Sequence, residues 1–88
     1  MGVKDSLRAF IIEELQWTGE PAELTDDYEL IENQVLDSLG LMEVAGYLER
    51  QHDVQVDDID LVASNFSTLA AIDAFVAQKR PAGAAPRR

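Results

Sequence analysis

The 88-residue sequence has no cysteine, a single histidine and a single tryptophan. The first absence excludes disulfide staples and thiolate zinc centres, and one histidine leaves little for a nitrogen-ligated metal. Any thiol chemistry needs a thiol from outside the chain. Basic residues are also scarce where they would matter: Lys4, Arg8, Lys79, Arg80, Arg87 and Arg88 lie near the two ends. Residues 9 to 78 hold only Arg50 against sixteen of the seventeen acids, a net charge of −15. Such a field repels nucleic acid and steers in partners that carry Lys/Arg patches, although it also serves a small protein simply as a solubilising surface. No apolar run approaches the roughly 20 residues that span a bilayer, and the N-terminus lacks the basic-then-apolar pattern of a secretory signal, so no membrane association and a cytoplasmic location are expected. The start MGVKDS fits the loose Gly2 myristoylation pattern, but no polybasic second anchor accompanies it.

The size allows one domain with one small core. At 47% hydrophobic and 27% charged residues the chain is too apolar to stay disordered. The expected organisation is a single domain over residues 1–80 and a disordered tail, PAGAAPRR, over 81–88.

The periodicity predicts an all-α fold. In SLRAFIIEELQW, with Val3 ahead of it, Val3, Leu7, Phe10, Ile11 and Leu15 recur at helical spacing, Glu13 faces out and Glu14 falls at the stripe's edge. Gly19 and Pro21 end that helix, and TGEPAELTDDYELIENQV forms a long acidic connection. A loop of this length needs pinning, and Leu24, Tyr28, Leu30 and Ile31 are the residues to do it. The second helix should open at DSL and run to about His52, burying Leu41, Val44, Ala45 and Leu48. That face forces Leu39, Met42, Glu43, Gly46 and Arg50 toward solvent. DDIDLVAS reads as a short third helix with Ile59 and Val62 or Leu61 inward. Ser67 is a candidate N-cap for the last helix, whose stripe is Leu69, Ile72, Phe75 and Val76 and whose end Lys79 and Arg80 suit the dipole.

The tripeptide DSL occurs twice, ending at Leu7 and at Leu39. Asp-Ser before an apolar run is how ordinary helices begin, and for Ser6 a first-turn role with Asp5 complementing the dipole suffices. Ser38 differs because it ends a long loop and opens the central helix. There its hydroxyl can project while the N–H groups of Leu39, Gly40 and Leu41 face a phosphate held on it. A nucleophilic role for Ser38 lacks a base, since His52 lies about 21 Å of helix further on and reads as a core-edge residue. DDYELIE and DDIDLVAS cluster acids without the glycine and terminal glutamate of a calcium loop, and no metal site is expected.

The stretch VLDSLGLMEVAGYLERQHDVQV, followed by NFSTLAAIDAFV, resembles the acyl carrier protein family over nearly the whole chain. The resemblance implies a small four-helix bundle with a long loop between helices one and two and a short third helix. It implies 4′-phosphopantetheine on Ser38, with Asp37 and Leu39 read by a phosphopantetheinyl transferase. Leu39, Met42, Glu43, Gly46 and Glu49 would form the partner face. Departures from the fatty-acid carriers are Gly40 in place of an acid, Gly46 and Arg50 thinning the acidic helix, and His52 in place of phenylalanine. The paired glycines that precede a peptidyl-carrier serine are absent. The VLDS-x-G pattern is similar instead to discrete carriers served by a stand-alone adenylating ligase, D-alanyl carriers and those of specialised metabolism among them. The expectation is a monomeric, non-catalytic acyl or aminoacyl carrier of bacterial specialised metabolism, loaded by an adenylating ligase and passing its cargo to acyl-processing or transferase enzymes. The competing expectation is an acidic docking module of the same fold that is never pantetheinylated.

Overall fold

The computed structural model describes residues 2–15 and 17–79, and among them the fold is all-α with no strand. Four helices follow in order: α1 (Val3–Glu14), α2 (Ser38–Gln51), α3 (Ala63–Phe66) and α4 (Leu69–Lys79). Short 3₁₀ turns at Pro21–Glu23 and Asp58–Asp60 lie in the connections. Arg80 and the segment expected to be a tail lie outside the described residues.

Each helix contributes one apolar stripe to a shared core. Leu7 and Ile11 come from α1, Val44 and Leu48 from α2, Phe66 from α3, and Leu69, Ile72, Phe75 and Val76 from α4. At roughly 1.5–3 kcal/mol per fully buried side chain of this size, these residues are the main source of stability. Among the described residues no polar or charged side chain is buried, so any chemistry belongs to the surface.

The long connection is pinned by leucines and by ion pairs. Leu24, Leu30 and Leu36 are buried in the core, and Tyr28 and Ile31 pack against it half-buried. Leu30 N–H donates to the Ser67 carbonyl at 2.7 Å, and the Asp26 carbonyl accepts from Ala70 N–H at 2.9 Å, which ties the loop to the head of α4. From α1, Arg8 Nε donates to the Leu24 carbonyl at 2.8 Å, and both Lys4 and Arg8 pair with the Asp26 carboxylate. The Lys4 hydrogen bond, with Arg8 adding to it, holds the Asp26 carboxyl below the usual carboxylate range.

The third helical segment differs from expectation. The 3₁₀ turn comes first and α3 starts only at Ala63, so the register shifts: Ile59 is 84% exposed and Val62 44% exposed, while Leu61 is half-buried and Phe66 fills the core. The turn is fixed by its polar groups. Asp57 and Asp60 cap each other's backbone, Asn65 donates to the Asp60 carbonyl at 2.9 Å, and Lys79 reaches back to Asp60 at 3.0 Å and Asp57 at 3.5 Å. These contacts lower the Asp60 pKa, mainly through the Asp57 N–H, and raise that of Lys79, mainly through Asp60. The N-cap of α4 is Thr68, whose Oγ1 accepts from Ala71 N–H at 3.0 Å, rather than Ser67, whose carbonyl is committed to Leu30.

Candidate functional site

The head of α2 is built by Asp37. Its backbone is extended, its side chain accepts from Gly40 N–H at 2.7 Å, and its carbonyl accepts from Leu41 N–H at 2.8 Å. Asp37 is therefore the N-cap and Ser38 the first helical residue. Of the three amides expected to face a group on Ser38, those of Gly40 and Leu41 are occupied. The N–H groups of Ser38 and Leu39 are left without an intramolecular partner at the positive end of the helix dipole.

The Ser38 side chain is exposed, and its hydroxyl makes no intramolecular hydrogen bond. An exposed hydroxyl beside two unpaired N–H donors accommodates a phosphodiester without loss of any existing contact, so the residues present fit a phosphate-linked group.

Ser6, in the other DSL, is in the opposite situation. The N-cap of α1 is Gly2, and Ser6 sits inside the first turn, half-buried. Its Oγ donates to the Val3 carbonyl at 3.2 Å and lies 2.9 Å from His52 Nε2, joining the start of α1 to the C-cap of α2. A hydroxyl whose one proton is on Val3 accepts from an Nε2–H. His52 also meets the Tyr47 ring edge-on at 5.7 Å, and Tyr47 stacks on Phe10 at 4.4 Å. The expected core-edge place of His52 is thus occupied, and its serine partner is Ser6.

Along α2, Leu39 and Met42 are 66% and 64% exposed, and Glu43 and Arg50 face solvent beside them. Leu41, expected in the core, is half-buried and packs at its edge. The buried position of the first turn is Gly40, where an added Cβ would lie 3.3 Å from Asp37 Oδ1 and 3.4 Å from Leu36 Cδ2. An acid at position 40 would be crowded, which gives the glycine a packing reason. Gly46 is half-buried under the Arg50 guanidinium, 3.1 Å from where its Cβ would stand, so a cation sits midway along the face. Glu49 is exposed, but its Oε2 already accepts from Val56 N–H at 3.0 Å and helps to hold the connection after α2.

Two open hollows lie between α1 and this face. One, about 440 Å³, is bordered by Phe10, Glu14, Met42, Glu43, Gly46 and Arg50. The other, about 360 Å³, shares Glu14 and Glu43 and reaches Asp37 and Leu39 on either side of Ser38. Its far wall includes Gln34, which stands at φ 62°. A non-glycine residue in that left-handed region costs about 1 kcal/mol or more, and the turn holds it there through Gln34 N–H to Ile31 O and Val35 N–H to Leu30 O. Nothing in the sequence pattern had marked Gln34. Glutamine is not a turn residue by propensity, and its conformation follows from the closure of the loop on Leu30 and Leu36. Among the described residues no helix is long and apolar enough to cross a membrane.

The family model described as the phosphopantetheine attachment site matches residues 5–76, which takes in both serines, the whole of α2 and α3 and most of α1 and α4. That family is defined by covalently attached 4′-phosphopantetheine, and its members work with a phosphopantetheinyl transferase and partner enzymes. A match over this much of the sequence, on an all-α fold, means that the chain belongs to the phosphopantetheine-carrying family of carrier proteins.

Proposed function

We propose that the chain is a discrete acyl or aminoacyl carrier in which Ser38 is the attachment point. The observation that supports this reading is the contrast at the hydroxyls: Ser38 Oγ is exposed and uncommitted at the head of the central helix, whereas Ser6 Oγ is engaged on two sides. In the transfer, Ser38 Oγ attacks the phosphorus of coenzyme A nearest the pantetheine. Its proton passes to the transferase, the Oγ–P bond forms as the pyrophosphate bridge breaks, and adenosine 3′,5′-bisphosphate leaves. Bound, the group supplies a terminal thiol on a flexible arm that holds cargo as a thioester, the thiol that a chain without cysteine cannot provide.

The chain's own residues position and present. Asp37 holds the first turn of α2 closed, so that Ser38 projects at a fixed place, and the free N–H groups of Ser38 and Leu39 face the phosphodiester. Leu39 and Met42 offer an apolar contact beside Glu43, a surface suited to a partner with an apolar patch and a basic rim. Gly46 and Glu49 extend that face, Glu49 in the subsidiary way its bond to Val56 allows. Our reading includes loading by an adenylating ligase, delivery to acyl-processing or transferase enzymes, a role in bacterial specialised metabolism, a monomer in the cytoplasm, and no catalysis by the chain itself.

Incubation of the purified chain with coenzyme A, magnesium and a broad-specificity transferase tests the core of this proposal. The intact mass should rise by one phosphopantetheine. A chain that stays unmodified under conditions that convert a known carrier would favour an acidic docking module instead.

A further inference from the structure

We infer that the hollow between the end of α1 and the head of α2 is a seat for the pantetheine arm, with the Gln34 carboxamide as its hydrogen-bonding partner. The inference rests on attachment at Ser38. The hollow is adjacent to that residue, since Asp37 and Leu39 both border it, and its lining includes Gln34 and Val35 of the long loop but neither Ile59 nor Val62 of the third helical segment. At about 360 Å³ it lies in the range of small-ligand sites, and its lining is mixed in the way the arm is mixed. Leu15, Val35 and Leu39 are apolar surfaces for the branched methyl groups near the phosphate. Gln34 presents a carboxamide to the secondary amides beyond them.

Two features of Gln34 single it out. Its side chain is exposed and makes no intramolecular hydrogen bond, so its two N–H donors and its carbonyl are available. Its backbone is held in a conformation that glycine adopts without strain, so the glutamine is no asset to the loop itself. Glu14 and Glu43 stand at the boundary with the second hollow, neither of them engaged in an ion pair or hydrogen bond.

The test compares isotope-labelled apo and holo chain by NMR, after intact mass has established that the holo sample carries one phosphopantetheine. The side-chain amide of Gln34 and the backbone amides of Leu15 and Val35 should shift more on modification than those of Ile59 and Val62. Nuclear Overhauser contacts should join the arm's methyl groups to the Val35 and Leu15 side chains. In Gln34→Gly, modification should proceed as in wild type and the melting temperature should not fall, while those contacts weaken at least severalfold. Shifts confined to Ser38 and Leu39, or contacts that survive intact in Gln34→Gly, would overturn the inference and leave attachment at Ser38 standing. Failure of the mass to rise would remove both.

Discussion

Two copies of one tripeptide, Asp5-Ser6-Leu7 and Asp37-Ser38-Leu39, take up opposite roles in this fold. In the first copy the leucine is buried in the core, the serine is bonded to Val3 and His52, and the aspartate pairs with Arg8 on the surface. In the second copy the aspartate caps the helix, the serine hydroxyl is uncommitted, and the leucine faces water. The difference is one of helical register. A helix that begins two residues before Asp5, at Val3, carries its Asp-Ser-Leu inside the turn, where side chains meet other elements. A helix that begins at Ser38 leaves that residue at the junction, where the backbone donors are unpaired. The chemistry of a motif is thus set by where the helix starts, and the three letters alone do not carry it.

The largest expected effect is on modification. Ser38→Ala should abolish phosphopantetheine addition by a transferase, and Ser6→Ala should be modified at close to the wild-type rate, both read by intact mass. The aspartates should separate next. Asp37→Ala removes a cap and should cost about 1 kcal/mol of unfolding free energy in urea titrations. Asp5→Ala breaks only an exposed pair with Arg8 and should cost about 0.5 kcal/mol or less. A result with the two reversed would mean that Asp37 is not the cap in solution.

The serines should separate in stability in the opposite sense to modification. Ser6→Ala loses the link to His52 and should cost about 1 kcal/mol, whereas Ser38→Ala, with no bond to lose, should be near neutral in the same titrations.

The smallest effect concerns pH. The Asp26 carboxyl is held below its ordinary value, chiefly by Lys4, so its contribution is present above an unfolded pKa of about 4 and is lost as pH falls through the lower folded value. The melting-temperature gap between wild type and Asp26→Asn should therefore be open at neutral pH and narrow as the pH falls below about 4. A gap that widens on acidification would reverse the assigned sign. The pair is partly exposed, so solvent screening keeps the change small.

Much of this was legible from periodicity. The stripe of α1, the start of α2 at Ser38 and the pinning of the long loop by Leu24 and Leu30 all follow from apolar spacing and from the need to anchor a long connection. The outward Leu39 and Met42 followed from the same spacing. Short elements were not legible in this way. Across DDIDLVASNF, a 3₁₀ turn and a four-residue helix have different periods, so apolar spacing turns Ile59 inward and does not mark Phe66 as a core residue. Asp57, Asp60 and Lys79 fix that segment, through a contact 22 residues apart in sequence for Asp57 and Lys79, and local patterning does not carry such information.

At the site itself, the exposed serine was legible and its surroundings were not. The occupation of the Gly40 amide by Asp37 and the pairing of Ser6 with His52 across 46 positions depend on tertiary closure. The left-handed Gln34 likewise depends on a turn set by Leu30 and Leu36.

The most direct measurement is a tryptic map of the chain after treatment with coenzyme A and transferase. Arg8 lies between the two serines, so cleavage there places Ser6 on a short N-terminal peptide and Ser38 on the fragment from Ala9 to Arg50. Fragmentation of the larger peptide should localise one phosphopantetheine to Ser38, with the N-terminal peptide unchanged in mass. Phosphopantetheine on the Ser6 peptide, or on a residue other than Ser38 within the larger one, would contradict the claim that an uncommitted hydroxyl at the head of α2 is what makes this protein a carrier.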